Sequence, residues 1–367
     1  MWYKKVEVIG LENLKKDVPI VISGTHNNMF IDAALMIYVS ERPVNFIMAA
    51  VSKKQVVLRF FTQFLNVITT NRPIDFAFDG QGTITKIKEG VVEGKNTNFD
   101  EKVVAGGGLL LSGEFKERRV KEVISADKLI LADTDFEVNE EITYKILPKT
   151  DQSVLFKNVL DALAQNEIIG IFPEGGSHDQ SVLLPLKAGA CIFNYSTFQK
   201  HKKNVNMVEM GFNYFGPHKS RSRVVINIGK PRIEDFNEEL IEDKNYKRAT
   251  IGRMLEDLKI SLEDVKICAP TYKDLLNLYT AKELYIPDGE KVDPEQDFIL
   301  YKKFAHAYYK LQDKPEVKTL KEETNYFRKE IKKHGLKMKE LRDFENTFST
   351  RTFQYLKKFL KYFILVF

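Results

Sequence analysis

A histidine and an aspartate stand six positions apart in residues 24–32. His26 follows a short apolar, strand-like run, and Asp32 falls within the first turns of a helix-like run. A carboxylate in that position holds an imidazole in one tautomer and stabilises the imidazolium that forms when the base takes a proton. The pair therefore indicates an oriented general base. Taken alone, a His and an Asp at this spacing are more often structural than catalytic.

A glycine-rich loop occurs in residues 168–190, where a buried-strand pattern ends in the sequence FPEGGSH. Free backbone N–H groups in such a turn can face an anion, and Gly175 and Gly176 allow close backbone approach. Lys187 follows near the predicted start of a helix, where a lysine can act as a point-charge ligand of phosphate. The pattern favours an anion-binding loop. A turn followed by a capped helix is the alternative.

Arg72 ends an apolar run and is followed by Pro73. A guanidinium in this setting can clamp a phosphate with two parallel hydrogen bonds. The preceding residues 56–70 predict a helix with one large apolar face, interrupted by Arg59 and Gln63. Neither a P-loop, a dinucleotide fingerprint nor a serine nucleophile elbow occurs. We predict no metal site, because no second His or Cys stands at ligand spacing from His26.

The elements that must position these side chains predict an α/β core. Residues 19–23 and 44–50 are strand candidates, and residues 30–39 between them have helical character. Residues 75–147 differ, because eight of the 20 glycines fall between Gly80 and Gly113 and short alternating runs predict strands joined by turns. We interpret this part as a β-rich insertion.

The pattern after the insertion returns to α/β and ends in charged helices. Residues 153–165 predict an amphipathic helix, and residues 168–172 and 224–228 predict strands. From Glu234 onward the sequence is helical, and its Lys- and Glu-rich part is typical of solvated helices. The predicted divisions are two halves of a core (1–74 and 151–233), an insertion (75–150), a helical extension (234–350) and a basic, apolar tail (351–367).

Composition narrows the class of protein. Of the 367 residues, 43% are hydrophobic and 29% are charged, which suits a packed core. The two cysteines exclude a disulfide scaffold, and a net charge of +5 is too small for a nucleic-acid binder but suits an anionic substrate or a lipid surface. We find no secretory leader and no run of about 20 apolar residues. The apolar residues 359–367, preceded by lysines, predict an interfacial anchor or the stub of a longer apolar segment, with a frayed apolar tail as the alternative.

Taken together and in this order, these segments resemble the PlsC-type glycerolipid acyltransferase family. Its His-x4-Asp block corresponds to His26 and Asp32, its arginine block to Arg72, and its FPEG block to residues 172–175. Its fourth, apolar block falls at residues 207–215. The resemblance implies an acyltransferase core, a mixed sheet flanked by helices, with the β-rich insertion and the C-terminal helical extension added to it.

The likeness is stronger to the fungal branch that acylates glycerol-3-phosphate and dihydroxyacetone phosphate at the endoplasmic reticulum. That branch shares FPEGGSHD, LPLKAG and a basic segment like residues 213–223. This sequence departs from the family patterns in having five residues between His26 and Asp32, Gln180 in place of arginine, and Glu209 in an apolar block.

The resemblance implies transfer of an acyl group from acyl-CoA to the sn-1 hydroxyl of glycerol-3-phosphate, with no metal or redox cofactor. His26 would deprotonate the hydroxyl and Asp32 would orient His26. Arg72, Lys187 and the backbone amides of residues 175–177 (Gly175, Gly176 and Ser177) would bind the acceptor phosphate. Glu174 would either hold the acceptor hydroxyls or brace the loop. The basic residues 218–223 would face CoA phosphates or lipid head groups, or form a solvated turn.

Other functions stay open at this point. The chain could use dihydroxyacetone phosphate as its acceptor or acylate lysophosphatidic acid, since the phosphate site would look alike. A catalytically inactive scaffold at a membrane is the alternative from another class. The intact His26, Asp32 and Glu174 argue against it. The resemblance further implies membrane lipids as partners, no nucleic acid, and a peripheral or weakly anchored position on the cytosolic face of the endoplasmic reticulum membrane.

Overall fold

A computed structural model of the chain describes residues 3–51, 66–114, 116–216, 221–286 and 292–336. Its strands are β1 (Tyr3–Ile9), β2 (Ile20–Gly24), β3 (Val44–Ala49), β4 (Asn66–Thr70), β5 (Phe78–Asp79), β6 (Thr83–Lys88), β7 (Val91–Lys95), β8 (Gly108–Leu111), β9 (Glu117–Ser125), β10 (Lys128–Leu131), β11 (Tyr144–Leu147), β12 (Ile168–Ile171), β13 (Asn206–Phe215) and β14 (Ser222–Ile228). Its α-helices are α1 (Ile31–Ser40), α2 (Phe99–Lys102), α3 (Ser153–Ala164), α4 (Gly189–His201), α5 (Lys244–Val265), α6 (Tyr272–Tyr285), α7 (Pro294–Leu311) and α8 (Pro315–Lys333).

The chain divides into two compact units. The first contains residues 1–44 and 163–367, and the second contains residues 45–162. Strands β5 to β11 all lie within the range predicted to be β-rich. The domain boundaries proposed from the sequence remain predictions.

The first unit is built on a mixed sheet in which β1, β14, β13, β2 and β12 are neighbours in that order. Strand β2 pairs in parallel with both β12 and β13, whereas β13 and β14 are antiparallel. All five residues of β2 are buried, as expected for a strand covered on both faces. The carboxyl ends of β2 and β12 therefore open at the same edge of the sheet.

The C-terminal helices of the first unit pack on the sheet and on one another. Their common core includes Val225 of β14, Leu278 of α6, and Phe298 and Tyr301 of α7. Local sequence starts these helices, because Asp243, Thr271 and Asp293 accept N-cap hydrogen bonds and prolines open α7 and α8. The predicted fold class, a mixed α/β chain with a helical C-terminal region, is confirmed.

The second unit holds an antiparallel sheet in which β5, β11, β8, β9, β10, β7 and β6 are neighbours in that order. Its core is made of aliphatic side chains with Phe99 and Tyr144. One part of the sequence-based interpretation is wrong here: Asn66–Thr70, assigned to the end of a helix, is strand β4, paired in parallel with β3. The β-branched run VITT favours an extended backbone. The rest of that predicted helix lies outside the described residues.

Candidate functional site

His26 lies in the loop that follows β2. The preceding Thr25 is anchored to β13, where its N–H donates to the Met210 carbonyl and its Oγ1 accepts from the Phe212 N–H, both at 3.0 Å. The His26 ring stacks on Phe172 with a centroid distance of 4.0 Å and an interplanar angle of 14°. His26 is 8% exposed. The imidazole is thus fixed by the sheet below it and by an aromatic ring beside it.

Asp32 lies in the first turn of α1 and is completely buried. Its Oδ2 is 3.0 Å from His26 Nδ1 and accepts the Asn28 N–H at 2.7 Å. The Asn28 side chain accepts hydrogen bonds from the N–H groups of Phe30 and Ile31 and so starts the helix. A carboxylate accepts hydrogen bonds, so in the neutral imidazole this contact favours the tautomer with the proton on Nδ1 and the lone pair on Nε2. That nitrogen is the one that can act as a base.

The second oxygen of Asp32 accepts a hydrogen bond from the hydroxyl of Tyr214 on β13. Burial, together with the charge of Asp32, raises the pKa of the Tyr214 hydroxyl far above its ordinary value, so the hydroxyl stays a donor. The Tyr214 ring in turn stacks against Tyr3 of β1 at 5.8 Å. The sequence analysis did not identify Tyr214. The signal was its position in β13, where it shares a face with Phe212, the residue bonded to Thr25.

Glu174 follows β12 and points back under the His26 loop. Its side chain is inaccessible to solvent and accepts the N–H of His26 at 3.0 Å and the N–H of Leu184 at 2.9 Å. The Nε2 of His178 bonds to Glu174 Oε2, the same oxygen that accepts the Leu184 N–H. Of the two roles predicted for Glu174, these contacts are those of bracing the loop.

His178 is the last residue of the FPEGGSH motif, and no role was predicted for it from the sequence. Its Nδ1 accepts the N–H of Gln180 at 3.1 Å, so the proton lies on Nε2 and is donated to Glu174. Its backbone N–H donates to the His26 carbonyl at 3.0 Å, and its carbonyl accepts from the Asn27 side chain at 3.2 Å. The loops after β2 and β12 are therefore joined by hydrogen bonds in both directions.

Gly175 and Lys187 lie together beside this junction. Gly175 has φ 77°, and a Cβ added there would lie 3.0 Å from Cε and 3.1 Å from Nζ of Lys187. The Gly175 N–H donates to the Phe172 carbonyl at 3.0 Å and is thus already used within the turn. Among the described residues, the amides of Gly176 and Ser177 have no such partner, and both residues are exposed. These two amides and the exposed Lys187 are the groups that an anion could reach.

Arg72 belongs to the second unit. Its guanidinium is held by the Asp75 carboxylate through Nε at 3.0 Å and Nη2 at 2.6 Å, and hydrogen bonding to Asp75 raises the pKa of Arg72. The geometry is thus the bidentate clamp expected of this arginine, but with a carboxylate of its own unit. A phosphate would have to bind the remaining edge of the guanidinium or displace Asp75.

Two charged residues singled out in the sequence have structural partners. Arg223 contacts Glu7 through Nε at 2.6 Å and Asp297 through Nη2 at 2.8 Å, and it lies over the Phe215 ring. Its guanidinium is therefore engaged by two carboxylates, and residues 217–220 of the same basic segment lie outside the described residues. Glu209, 1% exposed, is paired with Arg232 at 2.6 Å.

No helix within residues 3–51, 66–114, 116–216, 221–286 and 292–336 is both long and apolar enough to cross a bilayer. In the same ranges no three His, Cys, Asp or Glu side chains are grouped as metal ligands. The tail at 351–367, predicted to be an anchor, lies outside these ranges.

Relatives of the chain occur among fungal acyltransferases. It is 32% identical to glycerol-3-phosphate O-acyltransferase 1 of Saccharomyces cerevisiae over 305 residues, or 78% of this chain and 40% of that protein. It is 27% identical to glycerol-3-phosphate O-acyltransferase 2 of the same yeast, matching 92% of this chain and 50% of that protein. An uncharacterized acyltransferase of Schizosaccharomyces pombe is 27% identical over 92% of this chain and 52% of its own length. The chain spans about half the length of these relatives.

Among solved structures, the 1-acyl-sn-glycerophosphate (LPA) acyltransferase PlsC from Thermotoga maritima matches 70% of this chain and 73% of its own, with 15% identity and a TM-score of 0.32. No protein-family model matches the chain.

Proposed function

We infer the function from the family to which the chain belongs, the PlsC-type glycerolipid acyltransferases, in the branch of the fungal glycerol-3-phosphate O-acyltransferases. We propose that the chain transfers a fatty acyl group from acyl-CoA to the sn-1 hydroxyl of glycerol-3-phosphate, with dihydroxyacetone phosphate as the alternative acceptor. This is the first acylation on the route to phosphatidic acid.

One observation carries this proposal: His26 Nδ1 lies 3.0 Å from a completely buried Asp32. In the neutral imidazole this contact favours the proton on Nδ1, so that Nε2 can accept a proton at the end of a central strand, beside a glycine-rich loop with an exposed lysine. A general base next to an anion-binding loop is the combination that acylation of a phosphorylated alcohol requires.

In the proposed reaction, His26 Nε2 takes the proton of the acceptor hydroxyl as its oxygen attacks the thioester carbonyl carbon. The C–O bond forms, the C–S bond breaks, and the proton passes from His26 to the leaving CoA thiolate. Asp32 stabilises the imidazolium that exists between these two transfers. No covalent acyl-enzyme is required, so the chemistry needs one base and two positioned substrates.

The acceptor phosphate is assigned to Lys187 and the amides of Gly176 and Ser177. Glu174 acts by holding the backbone of His26, so its place in this scheme is positioning. Arg72 stays a proposed phosphate ligand on the strength of the family pattern alone. Membrane lipids as partners and a peripheral place on the cytosolic face of the endoplasmic reticulum membrane are likewise proposed from that resemblance.

The test is acyl transfer from labelled palmitoyl-CoA to glycerol-3-phosphate, dihydroxyacetone phosphate or lysophosphatidic acid, each offered separately to the full chain in detergent. We expect product with the first two, and loss of product by about 10²- to 10⁴-fold in His26→Ala. In the same assay, Arg72→Ala should raise KM for the phosphorylated acceptor more than it lowers kcat.

Each other outcome has a defined meaning. Turnover of lysophosphatidic acid alone keeps the chemistry but changes the acceptor. Activity that survives His26→Ala refutes the assigned base. No turnover of any acceptor by folded protein supports the inactive scaffold.

A further inference from the structure

Helix α1 presents an apolar face to solvent. Phe30, at its N-cap, is 40% exposed, Ile37 is 36% exposed and Tyr38 is 63% exposed, and Ala34 is also exposed. At these spacings the four side chains share one arc of about 100° around the helix. Met29, just before the helix, is 47% exposed and extends the patch.

The opposite face of α1 is the one that enters the core. Asp32, Leu35, Met36 and Val39 are buried there. Asp32 is the only charged residue within α1, so the helix is apolar on both faces. Helices with this pattern are normally buried all round, whereas a water-facing arc normally carries charges. An apolar arc left in solvent marks an interaction surface.

Two other helices of the first unit show the usual arrangement. Helix α8 has the sequence PEVKTLKEETNYFRKEIKK, and its exposed positions are mostly Lys and Glu. Helix α5 has one exposed large aliphatic side chain, Ile260 at 58%, among charged neighbours. Neither α8 nor α5 shows the clustering of exposed apolar side chains that is found on α1.

The patch lies on the helix that carries Asp32, on the face opposite that carboxylate, and one helix diameter is about 10 Å. Its surroundings suit an uncharged or anionic surface. Glu41, the acidic residue that follows the helix, forms an ion pair with Lys16, with Oε2 and Nζ 3.7 Å apart. The exposed Lys187 lies at the same edge of the sheet as His26.

We propose that this α1 face, made of Met29, Phe30, Ala34, Ile37 and Tyr38, lies on a lipid bilayer surface. The choice of lipid as the occupant rests on the proposed function, because an acyl donor and a lysophosphatidic acid product both partition into bilayers. Aliphatic side chains enter the acyl boundary and a tyrosine presents its hydroxyl to the head groups. Docked in this way, the helix places the His26 loop next to the source of one substrate.

The test uses vesicles and requires no turnover. In a Trp2→Phe background, which removes the single native tryptophan, Tyr38→Trp places a reporter in the patch and Ile260→Trp places a matched reporter on α5. With vesicles of phosphatidylcholine brominated on the acyl chains, we expect quenching of the reporter at position 38 by at least twofold. The reporter at position 260 should change little.

Flotation of the full chain with neutral phosphatidylcholine vesicles gives the second measurement. The double variant Ile37→Lys with Tyr38→Lys should lower the bound fraction about tenfold or more, and Ile260→Lys should not. Circular dichroism and the melting temperature check that the variants fold.

Equal flotation of wild type and the double variant, or equal quenching of the two reporters, refutes the proposal and leaves other surfaces or residues 351–367 to bind lipid. Self-association that is lost in the double variant, without flotation, makes the patch a protein interface instead. Failure of acyl transfer leaves both measurements intact, so the two proposals fail separately.

Discussion

Two sets of buried carboxylates in the first unit are held in different ways. Asp32 and Glu174 accept hydrogen bonds from backbone N–H groups, a tyrosine hydroxyl and imidazoles, and neither contacts a lysine or arginine within the described residues. Glu7 and Asp297 are instead held by cations, because Arg223 bridges them and Lys282 pairs with Asp297. The first set lies at the candidate site, and the second joins β1, β14, α6 and α7.

The difference has a physical reason. Neutral donors keep a carboxylate ionised without cancelling its field, so Asp32 can still stabilise a positive imidazole. A lysine or arginine beside it would oppose that imidazolium. Carboxylates that only hold elements together carry no such requirement and can be neutralised by direct pairing. The cost of burying those charges is offset by the pairing itself.

The largest expected effect on activity in this comparison belongs to Asp32→Asn. The amide removes the negative charge and offers an N–H in place of one acceptor, so Nδ1 of His26 loses its orienting partner. We expect kcat to fall by about 10²- to 10⁴-fold, with KM for glycerol-3-phosphate little changed. Steady-state kinetics on protein with an unchanged circular dichroism spectrum provides the check. A loss of tenfold or less would mean that His26 works without this carboxylate.

A smaller effect is expected for Tyr214→Phe. The change removes one hydrogen bond to Asp32, worth about 1.5–3 kcal/mol for a charged acceptor, and only part of this reaches the transition state. We expect kcat to fall about tenfold or less. KM for glycerol-3-phosphate should stay near the wild-type value, because Tyr214 bonds to Asp32 and is not among the groups assigned to the phosphate. Steady-state kinetics provides the measurement.

Tyr3→Phe is the matched control, because Tyr3 stacks on Tyr214 and the change keeps the ring. An equal fall of kcat in both variants would assign the effect to packing and not to the hydroxyl.

Arg223→Met tests the carboxylates that are held by cations, Glu7 and Asp297. The change should lower stability and leave activity nearly unchanged. Removing one partner of a buried ion pair typically costs 3–5 kcal/mol, and we expect about 3 because the Arg223 side chain is 26% exposed. Urea unfolding measures the loss. Activity per folded molecule should stay within about twofold of wild type, as this arginine lies outside the chemistry. A large fall in kcat at full folding would erase the distinction between the two sets.

The smallest expected effect is on the pH dependence of stability, and it involves Asp274 in the helical extension. Burial would raise the pKa of the Asp274 carboxyl, but hydrogen bonds from Lys321, Thr271 and Tyr308 outweigh burial and leave the pKa below its ordinary value. The contribution to stability is therefore present above about pH 4 and is lost as the pH falls further. Asp274→Asn should be less stable at neutral pH and should flatten the acid side of the stability curve. A curve parallel to wild type down to pH 2 would contradict this.

Much of the structure around the candidate site could be predicted from local sequence patterns. The strands that precede His26 and Glu174 could be predicted because each is a short apolar run that ends in loop-forming residues. This pattern is visible within a few positions of the sequence. The contact between His26 and Asp32 was likewise expected from their short spacing, and the structure brings Nδ1 and Oδ2 to 3.0 Å. Their chemical roles remain proposals.

What sequence reasoning missed depends on distant pairing. Tyr214 reaches Asp32 across 182 positions because β13 lies beside β2, and no local pattern contains that register. Arg223 looked like a free cation because its partners are on β1 and α7. The strand Asn66–Thr70 was predicted as the end of a helix because it continues a long apolar run, in which the change from helical to strand periodicity is not visible.

The division of the chain also sets an order of events during synthesis. The second unit is one continuous stretch with its own core, whereas the first is interrupted by it. On a ribosome, β2 therefore emerges long before its neighbours β12 and β13 exist, and its apolar residues Ile20, Val21 and Ile22 have no partner strand until then. The bond from the His26 amide to Glu174 closes a separation of 148 positions. Such contacts form late because loop closure over many residues is slow. The reactive end of the sheet is thus assembled only after the intervening unit has been made.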